Sequence, residues 1–227
     1  MILKALTLSP DGQLIASGSQ DNEIRLWSYS TQTTALTTAS KTLTGHSREV
    51  NSVLFYSNEI LASASGDKNV KIWSVSSGTC TNTLSGHTSY VATLALLQNG
   101  YLASGSWDFT IRIWNISLSY SLYTLTGHSN TVNALVTLNN GYLVSGSFDK
   151  NIIVWDMTFY APVVTWQASS DCVFALAYDS YLNTLASGDF ANLVKMWDSD
   201  LLATRPNLIS NSGKYIITKK VGIFPQY

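Results

Sequence analysis

Charged residues, cysteine, proline and histidine are all scarce in this 227-residue sequence. Only 12% of the residues are charged, the formal net charge is −1, and the chain has two cysteines, four prolines and three histidines. A net charge so close to zero gives no broad electrostatic attraction to nucleic acid or to an anionic membrane. The two cysteines, Cys80 and Cys172, are too few for a disulfide framework, and we expect both thiols to be reduced.

Long apolar runs are also missing. No stretch approaches the ~18 consecutive apolar residues that mark a transmembrane helix. The N-terminal segment MILKALTLSP is interrupted by Lys4 and does not resemble a secretory signal peptide. The sequence therefore predicts a cytoplasmic protein that does not bind membranes, and it leaves a nuclear location open.

A strict internal repeat is the main feature that the sequence does have. A Gly-His pair, an Asp and a Trp recur in the same order from Gly45, from Gly86 and from Gly127. In each copy the Asp follows the His by 21 residues and the Trp follows it by 27, and successive copies are 41 residues apart. Repetition of several features at a fixed period indicates an array of stacked structural units.

Five units can be assigned from these landmarks. Their predicted boundaries are 1–44, 45–85, 86–126, 127–167 and 168–200. The first unit contains Trp27 but no Gly-His pair. The fifth contains Trp197 but no His, and Ala191 occupies the usual Asp position. Asp189 lies two residues earlier, and the sequence alone does not decide whether it substitutes.

Four short strands are predicted within each full unit. In the second unit they are Val50–Phe55, Ile60–Ser65, Val70–Trp73 and Cys80–Leu84, with a Gly-Asp-Lys-Asn turn after the second strand. Short strands of this composition, separated by turn-forming residues, indicate an all-β fold. No segment sustains the 3.6-residue period of an amphipathic helix.

The repeat pattern stops after Asp198. Residues 201–227 are expected to contribute extra strands and a tail. The candidate strands are Leu208–Ile209 and Tyr215–Thr218, and residues 219–227 are the expected tail.

The combination of a Gly-His pair, a Ser-Gly-Ser-x-Asp segment and an Ile-x-x-Trp segment resembles the WD-repeat family over residues 1–200. The resemblance implies a β-propeller built of four-stranded blades around a central channel. WD propellers commonly close with about seven blades, within the usual range of 4–8, whereas five units are present here. We therefore expect five blades in a partial or incompletely closed propeller, either as a compact arc or as a fragment of a larger ring.

The resemblance also implies a hydrogen-bonded network in each full unit. Its members are His46, Ser63, Asp67 and Trp73; His87, Ser104, Asp108 and Trp114; and His128, Ser145, Asp149 and Trp155. A buried indole N–H needs an acceptor, and a buried imidazole needs partners on both nitrogens. Ser, His and Asp are also the components of a hydrolase triad. Because the arrangement occurs three times and uses every His, we predict a structural role, with no catalytic residue.

No metal site or cofactor is predicted. The histidines are 41 residues apart, no Cys-x-x-Cys motif is present, and no acidic cluster suits calcium. The glycines mark turns, and none lies in a phosphate-binding GxxxxGK motif.

Partners of WD-repeat proteins often touch the top face of the propeller, and the resemblance places candidate binding residues there. They are Glu49, Asn51, Tyr90, Trp107, Thr131, Asn133, Phe148, Phe174 and Phe190. Five of these nine are aromatic, which is typical of interface hot spots. The alternative is that the aromatic side chains pack on neighbouring loops or line the mouth of the channel.

The predicted function is that of a non-catalytic scaffold or adaptor, with other proteins or peptides as partners and no nucleic acid. The lysines and arginines are scattered rather than clustered. Two alternatives remain open at this point. One is a propeller-type hydrolase or lactonase with a site in the central channel. The other is the ligand-sensing part of a larger multidomain signalling protein, in which further domains of the same chain are partners.

Overall fold

The computed structural model describes residues 2–28 and 39–198, together with the backbone of Lys219–Lys220. All regular structure in these residues is β-strand, so they contain no helix that could cross a membrane. The strands of the first two blades are β1 Leu3–Leu8, β2 Leu14–Ser19, β3 Ile24–Ser28, β4 Lys41–Leu43, β5 Val50–Phe55, β6 Ile60–Ser65, β7 Val70–Ser74 and β8 Cys80–Leu84.

The remaining strands repeat this order in three further blades. They are β9 Val91–Leu96, β10 Leu102–Ser106, β11 Ile111–Trp114, β12 Ser121–Leu125, β13 Val132–Thr137, β14 Leu143–Ser147, β15 Asn151–Asp156, β16 Ala161–Gln167, β17 Val173–Asp179, β18 Thr184–Asp189, β19 Leu193–Asp198 and β20 Lys219–Lys220. The expected strands at Leu208–Ile209 and Tyr215–Thr218 lie outside the described residues.

Each set of four consecutive strands forms one antiparallel sheet in simple up-and-down order. The first strands of neighbouring sheets pack against each other, from β1 to β5, β9, β13 and β17 in turn. This arrangement confirms the predicted all-β propeller of five four-stranded blades. In the fifth blade the fourth strand is the two-residue β20, which pairs with Leu193 and Val194 of β19.

The hydrophobic core lies between the blades. Four clusters of buried residues each combine side chains from two consecutive blades. Small residues in the second strand of each blade allow this close approach. A Cβ atom added at Gly146, for example, would lie 2.7 Å from a methyl carbon of Val173 in the next blade. Glycine is therefore favoured at this position by close packing with Val173 rather than by backbone conformation.

The turn between the second and third strands of each blade places one residue in the left-handed region. These residues are Asn22, Lys68, Phe109, Lys150 and Asn192, with φ between 61° and 74°. In blades 2 to 4 the preceding Asp stabilises the turn. In blade 2, for instance, Oδ1 of Asp67 accepts a hydrogen bond from the Asn69 backbone at 3.0 Å. Asp is common in such turns because its carboxylate accepts a hydrogen bond from the backbone N–H two residues later.

The part of the propeller that the structure describes is incompletely closed. Among the described residues, β1 and β17 do not pack side by side as neighbouring first strands do. Leu3, Leu6 and Leu8 of β1 are exposed, whereas Val50 and Val53 of β5 are buried between blades 1 and 2. The five described first strands therefore form an open arc from β1 to β17.

Replacement of Gly146 by Ala is expected to destabilise the protein by about 1–3 kcal/mol, because the added methyl group overpacks the junction with Val173. The matched control is Gly188→Ala in blade 5, where the nearest atom to an added Cβ is 3.9 Å away. This control is expected to be neutral or slightly stabilising. Urea unfolding at low protein concentration measures both. Equal effects of the two substitutions would contradict the proposed packing.

Candidate functional site

The predicted polar residues of blade 2 form one continuous hydrogen-bonded chain. Nδ1 of His46 lies 2.7 Å from Oδ2 of Asp67, and Nε2 lies 2.7 Å from Oγ of Ser63. The indole nitrogen of Trp73 donates to the same Ser63 oxygen at 2.8 Å. With a neutral imidazole, the order of donation is Trp to Ser, Ser to His, and His to Asp. Every side-chain nitrogen and oxygen atom of these four residues then has a hydrogen-bond partner.

Blades 3 and 4 repeat this geometry. The three distances are 2.7, 2.7 and 2.8 Å in blade 3 and 2.8, 2.7 and 2.8 Å in blade 4. The residues are His87, Ser104, Asp108 and Trp114, and His128, Ser145, Asp149 and Trp155. Such close agreement follows from the identical spacing of these residues in the sequence.

The three carboxylates are held in the ionised form. Burial raises the pKa of Asp67, Asp108 and Asp149, but the hydrogen bonds from the His rings and the backbone outweigh it, so that each pKa lies below its ordinary value. In blade 3, Oδ2 of Asp108 also accepts the backbone N–H of Thr88 at 2.9 Å. Each Asp therefore joins the loop that enters the blade to the turn after its second strand.

The network offers no accessible catalytic group. Ser63, Ser104 and Ser145 have no exposed surface, and the three imidazoles are at most 1% exposed. A hydrolytic triad requires a nucleophile that substrate can reach. Within the part of the chain that the structure describes, no group of three or more His, Cys, Asp or Glu residues could hold a metal ion.

Blade 1 has a reduced version of the network. Trp27 donates to Ser17 at 2.9 Å, as in the full blades. Arg25 takes the place of the missing His as the partner of the turn Asp, with NH2 at 2.9 Å from Oδ2 of Asp21. This contact lies at the surface, so it contributes less to stability than a buried one.

Blade 5 retains the Trp–Ser hydrogen bond, and Ser169 and Asp189 take the places of the His and the turn Asp. Trp197 donates to Ser187 at 2.9 Å. Ser169 donates a hydrogen bond to Asp189, whose Oδ1 accepts the backbone N–H of Leu193 at 3.0 Å. Asp189 thus takes over part of the role of the turn Asp, although it lies two residues earlier.

A repeated backbone hydrogen bond defines the top face of the propeller. The residue before each turn Asp donates its N–H to the carbonyl of the residue before the first strand of its blade. Trp107 donates to Tyr90 at 2.9 Å, and Phe148 donates to Thr131 at 3.0 Å. Phe190 makes the corresponding bond in blade 5. The predicted aromatic residues are therefore brought to one face.

The predicted aromatic residues form two groups on this face. The first group is the Tyr90–Trp107 pair, whose rings are stacked with centroids 5.1 Å apart. The guanidinium carbon of Arg48 lies 5.4 Å from the centre of the Tyr90 ring, and Arg48 donates to the Tyr90 hydroxyl. Sequence reasoning missed Arg48, because its contact with Tyr90 crosses from one blade to the next.

The second group is the phenylalanine cluster, made of Phe148, Phe174 and Phe190. Its ring centroids are 5.8–6.4 Å apart. Phe174 is 54% exposed and Phe190 is 63% exposed, while Trp107 of the first group is 48% exposed. These side chains pack on one another and still present apolar surface to solvent. Their role in binding a partner stays a prediction.

The polar residues predicted for the same face have contacts within the protein. Glu49 forms an ion pair with Lys4 at 3.7 Å. Asn51 is half-buried and donates to the Val91 carbonyl of the next blade at 3.0 Å. Thr131 is buried, so its side chain is not part of the accessible surface, and Asn133 is half-buried. The most exposed of the nine predicted residues are therefore aromatic, namely Trp107, Phe174 and Phe190.

A third aromatic group, which the sequence did not predict, lies between the outer strands of blades 3 and 4. Tyr123 and Tyr160 stack with ring centroids 3.7 Å apart. Tyr120 and Phe159 nearby in sequence are 62% and 78% exposed. These residues lie outside the repeated motif, so the spacing of the motif gave no indication of them.

A depression in the loops on the other side of the blades lacks the groups that acid–base or nucleophilic chemistry requires. A depression of about 520 Å³ there is lined by Tyr56, Leu96, Leu97, Gln98, Gly100, Thr137, Leu138 and Asn139. None of these residues is a carboxylate, an imidazole or a thiol. Gln98 is already engaged, since its amide donates to the carbonyls of Leu138 and Asn139.

Comparison with known proteins agrees with this architecture. The family model described as "WD domain, G-beta repeat" matches residues 3–28, 37–74, 78–115, 119–156 and 160–198. The chain belongs to the WD-repeat family. Each matched segment contains the first three strands of one blade, and every segment after the first also contains the outer strand of the preceding blade.

Individual relatives match shorter stretches. The periodic tryptophan protein 2 homolog of Schizosaccharomyces pombe is 42% identical over 74 residues, which is 32% of this chain and 8% of that protein. A denticleless protein homolog of Danio rerio is 39% identical over 72 residues, or 31% and 10% of the two chains. The small ribosomal subunit protein RACK1 of S. pombe is 32% identical over 80 residues, or 34% and 26%. The chain thus covers about a quarter or less of these relatives.

Replacement of His128 by Ala is expected to destabilise the protein, because it leaves Asp149 and Ser145 without their His partner. The expected loss is about 1–3 kcal/mol for each buried group left unpaired. The free energy of unfolding in urea measures the effect. An unchanged value would show that the network does not stabilise blade 4.

Replacement of Asp108 by Asn is expected to make stability less dependent on pH in acid. The folded pKa of Asp108 lies below its ordinary value, so its contribution is present above about pH 4 and is lost as the pH falls toward the folded pKa. The difference in unfolding free energy between wild type and Asp108→Asn should therefore shrink below about pH 4. A difference that stays constant, or that grows in acid, would contradict this account. Glu59→Gln, an exposed carboxyl in blade 2, is the control and should leave stability at neutral pH unchanged.

Proposed function

We propose that the chain is a non-catalytic protein-interaction module that holds a partner protein or peptide on the top face of the propeller. The observation that carries the proposal is the concentration of exposed aromatic surface there. Trp107, Phe174 and Phe190 are each about half exposed or more, and all three lie in the two aromatic groups of that face.

The physical basis of binding is burial of this aromatic surface. An aromatic side chain offers large apolar area at a low cost in side-chain entropy, which is the reason that Trp and Tyr dominate interface hot spots. The Tyr90–Trp107 pair and the phenylalanine cluster are held by the backbone bonds of Trp107, Phe148 and Phe190. A partner therefore meets a surface that is already ordered, which lowers the cost of binding.

The polar residues support a scaffold rather than an enzyme. Each His of the three full blades is engaged at both ring nitrogens, and each network Ser is shared between a His and a Trp. These side chains therefore stabilise the blades. The low net charge of −1 favours a protein partner over nucleic acid, which requires a clustered basic surface.

The names of the relatives are in keeping with an intracellular role in larger assemblies. One of them is named as a protein of the small ribosomal subunit, and another, from Arthroderma benhamiae, is named a nuclear distribution protein. We place this chain inside the cell as well, in the cytoplasm or the nucleus, and assign it a protein partner on the aromatic face.

The test is affinity capture from an extract of the native cell with the purified chain as bait. The double substitution Trp107→Ser and Phe148→Ser should abolish capture of proteins held by the wild type. Phe159→Ser is the matched control, because Phe159 is 78% exposed and lies outside the top face. Circular dichroism and thermal melting establish that each variant is folded. Capture that survives the double change, or that is lost equally in the control, would contradict the proposal.

A further inference from the structure

The guanidinium of Arg48 lies at the edge of the aromatic surface of the top face. Arg48 belongs to the loop that enters blade 2. Its guanidinium carbon is 5.4 Å from the centre of the Tyr90 ring, and it donates a hydrogen bond to the Tyr90 hydroxyl. Tyr90 in turn stacks on Trp107. One planar cation and two aromatic rings therefore form a continuous row from blade 2 to blade 3.

Arg48 has no acidic partner within the part of the chain that the structure describes. Its side chain is exposed, and it forms no ion pair with a carboxylate there. Arg25 in blade 1, by contrast, pairs with both Asp21 and Glu23. A guanidinium has five N–H donors, and the Tyr90 hydroxyl uses one of those of Arg48. Donors therefore remain for an acceptor that a partner brings.

The carboxylates at the top of blades 2 to 4 already have partners of their own. Glu49 pairs with Lys4 at 3.7 Å. The turn carboxylates Asp67, Asp108 and Asp149 each lie 2.7–2.8 Å from a His ring nitrogen and also accept a backbone N–H. The described loops and turns at the top of these three blades thus offer no unpaired carboxylate to a basic partner.

Trp107 and the phenylalanine cluster supply the apolar part of the same surface. Trp107, Phe174 and Phe190 are 48%, 54% and 63% exposed. The two aromatic groups occupy blades 3 to 5, and Arg48 lies at the blade 2 end of this series. Asp171, in the loop that enters blade 5, lies at the other end. The surface therefore combines an apolar centre with an unpaired positive charge at one end.

We infer that the partner of the top face presents a peptide segment with an Asp or Glu two or three positions from a large apolar residue. This inference rests on the proposed function and specifies the chemistry of the partner. The carboxylate of the segment accepts hydrogen bonds from the Arg48 guanidinium, whose planar fork fits both carboxylate oxygens. The apolar side chain covers the ring of Trp107.

The spacing within the segment follows from the row of three groups. The path from the Arg48 guanidinium carbon to the Trp107 ring has two steps, 5.4 Å to the Tyr90 ring centre and 5.1 Å beyond it. An extended peptide advances about 3.3 Å per residue. Side chains two or three positions apart are therefore separated by roughly 7–10 Å, which lets one segment reach both groups.

Charge complementarity favours an acidic segment over a basic one. A basic side chain at the same place would face Arg48, and no unpaired carboxylate at the top of blades 2 to 4 would offset the repulsion. An exposed ion pair contributes little, because water and salt screen it. The apolar residue beside the carboxylate excludes water from the row of rings, so the pair is screened less and contributes more to binding.

Selection of random linear peptides displayed on phage, with the purified 227-residue chain as the target, tests the inference. Peptides enriched on the wild type should share an Asp or Glu two or three positions from a large apolar residue. The same motif should be absent from peptides selected on the double variant Trp107→Ser and Phe148→Ser. Circular dichroism establishes that the variant is folded.

Titration calorimetry with a synthetic copy of the most enriched peptide measures the role of Arg48. Arg48→Glu should weaken binding about 10-fold or more, because an attractive charge contact becomes a repulsive one. Lys68→Glu is the matched control, since it makes the same change of charge at an exposed lysine in the turn of the same blade. The control should alter the affinity less than about 2-fold, because screening weakens charges that do not touch the peptide.

Exchange of the two charges gives the decisive result. A peptide with Lys in place of its acidic residue should bind the wild type weakly and bind Arg48→Glu better than the original peptide does. Enriched peptides that require Trp107 but lack the acidic residue, equal losses in Arg48→Glu and Lys68→Glu, or a charge exchange that restores nothing would overturn the inference and leave the proposed function standing. A selection without any peptide sensitive to the double substitution would overturn both.

Discussion

One shared serine hydroxyl lies at the centre of each full blade, and the rest of the blade depends on it. The hydroxyl accepts the indole N–H of the Trp and contacts the imidazole of the His, which in turn is bonded to the turn Asp. Each bond contributes about 1 kcal/mol, but leaving any buried member unpaired costs about 1–3 kcal/mol. The network therefore acts as a unit, and it joins an entering loop, a turn and two strands that are far apart in sequence.

Because the serines and histidines of the network are used to stabilise the blades, binding has to involve other residues. The serines and imidazoles are buried, and the blades are packed through apolar side chains that alternate with them along the strands. The aromatic side chains of Trp107 and Phe190 remain accessible at the top. On the outer side of blade 1, by contrast, Leu3, Leu6 and Leu8 of β1 are exposed.

The sequence predicted most of the fold, because spacing and composition act locally. The fixed separation of His, Asp and Trp indicated the repeated units, and the resemblance to the WD-repeat family implied the blades and their network. The paired distances of 2.7–2.8 Å in three blades agree with it. Contacts between blades were harder to foresee. The Arg48–Tyr90 contact and the Tyr123–Tyr160 stack join residues of different repeats, and the burial of Thr131 depends on its neighbours in space. The substitution of Asp189 for the missing turn Asp in blade 5 likewise required the geometry of the loop around Ser169.

The central claim is that all three imidazoles are structural and bonded at both nitrogens, and side-chain NMR of the histidines tests it most directly. The account predicts three Nδ1–H signals that exchange slowly with solvent in the folded chain, because each proton is donated to a buried Asp and the rings are at most 1% exposed. Rapid exchange of these protons, or rings whose proton is on Nε2 instead, would contradict the account, since a free imidazole would again be available for chemistry.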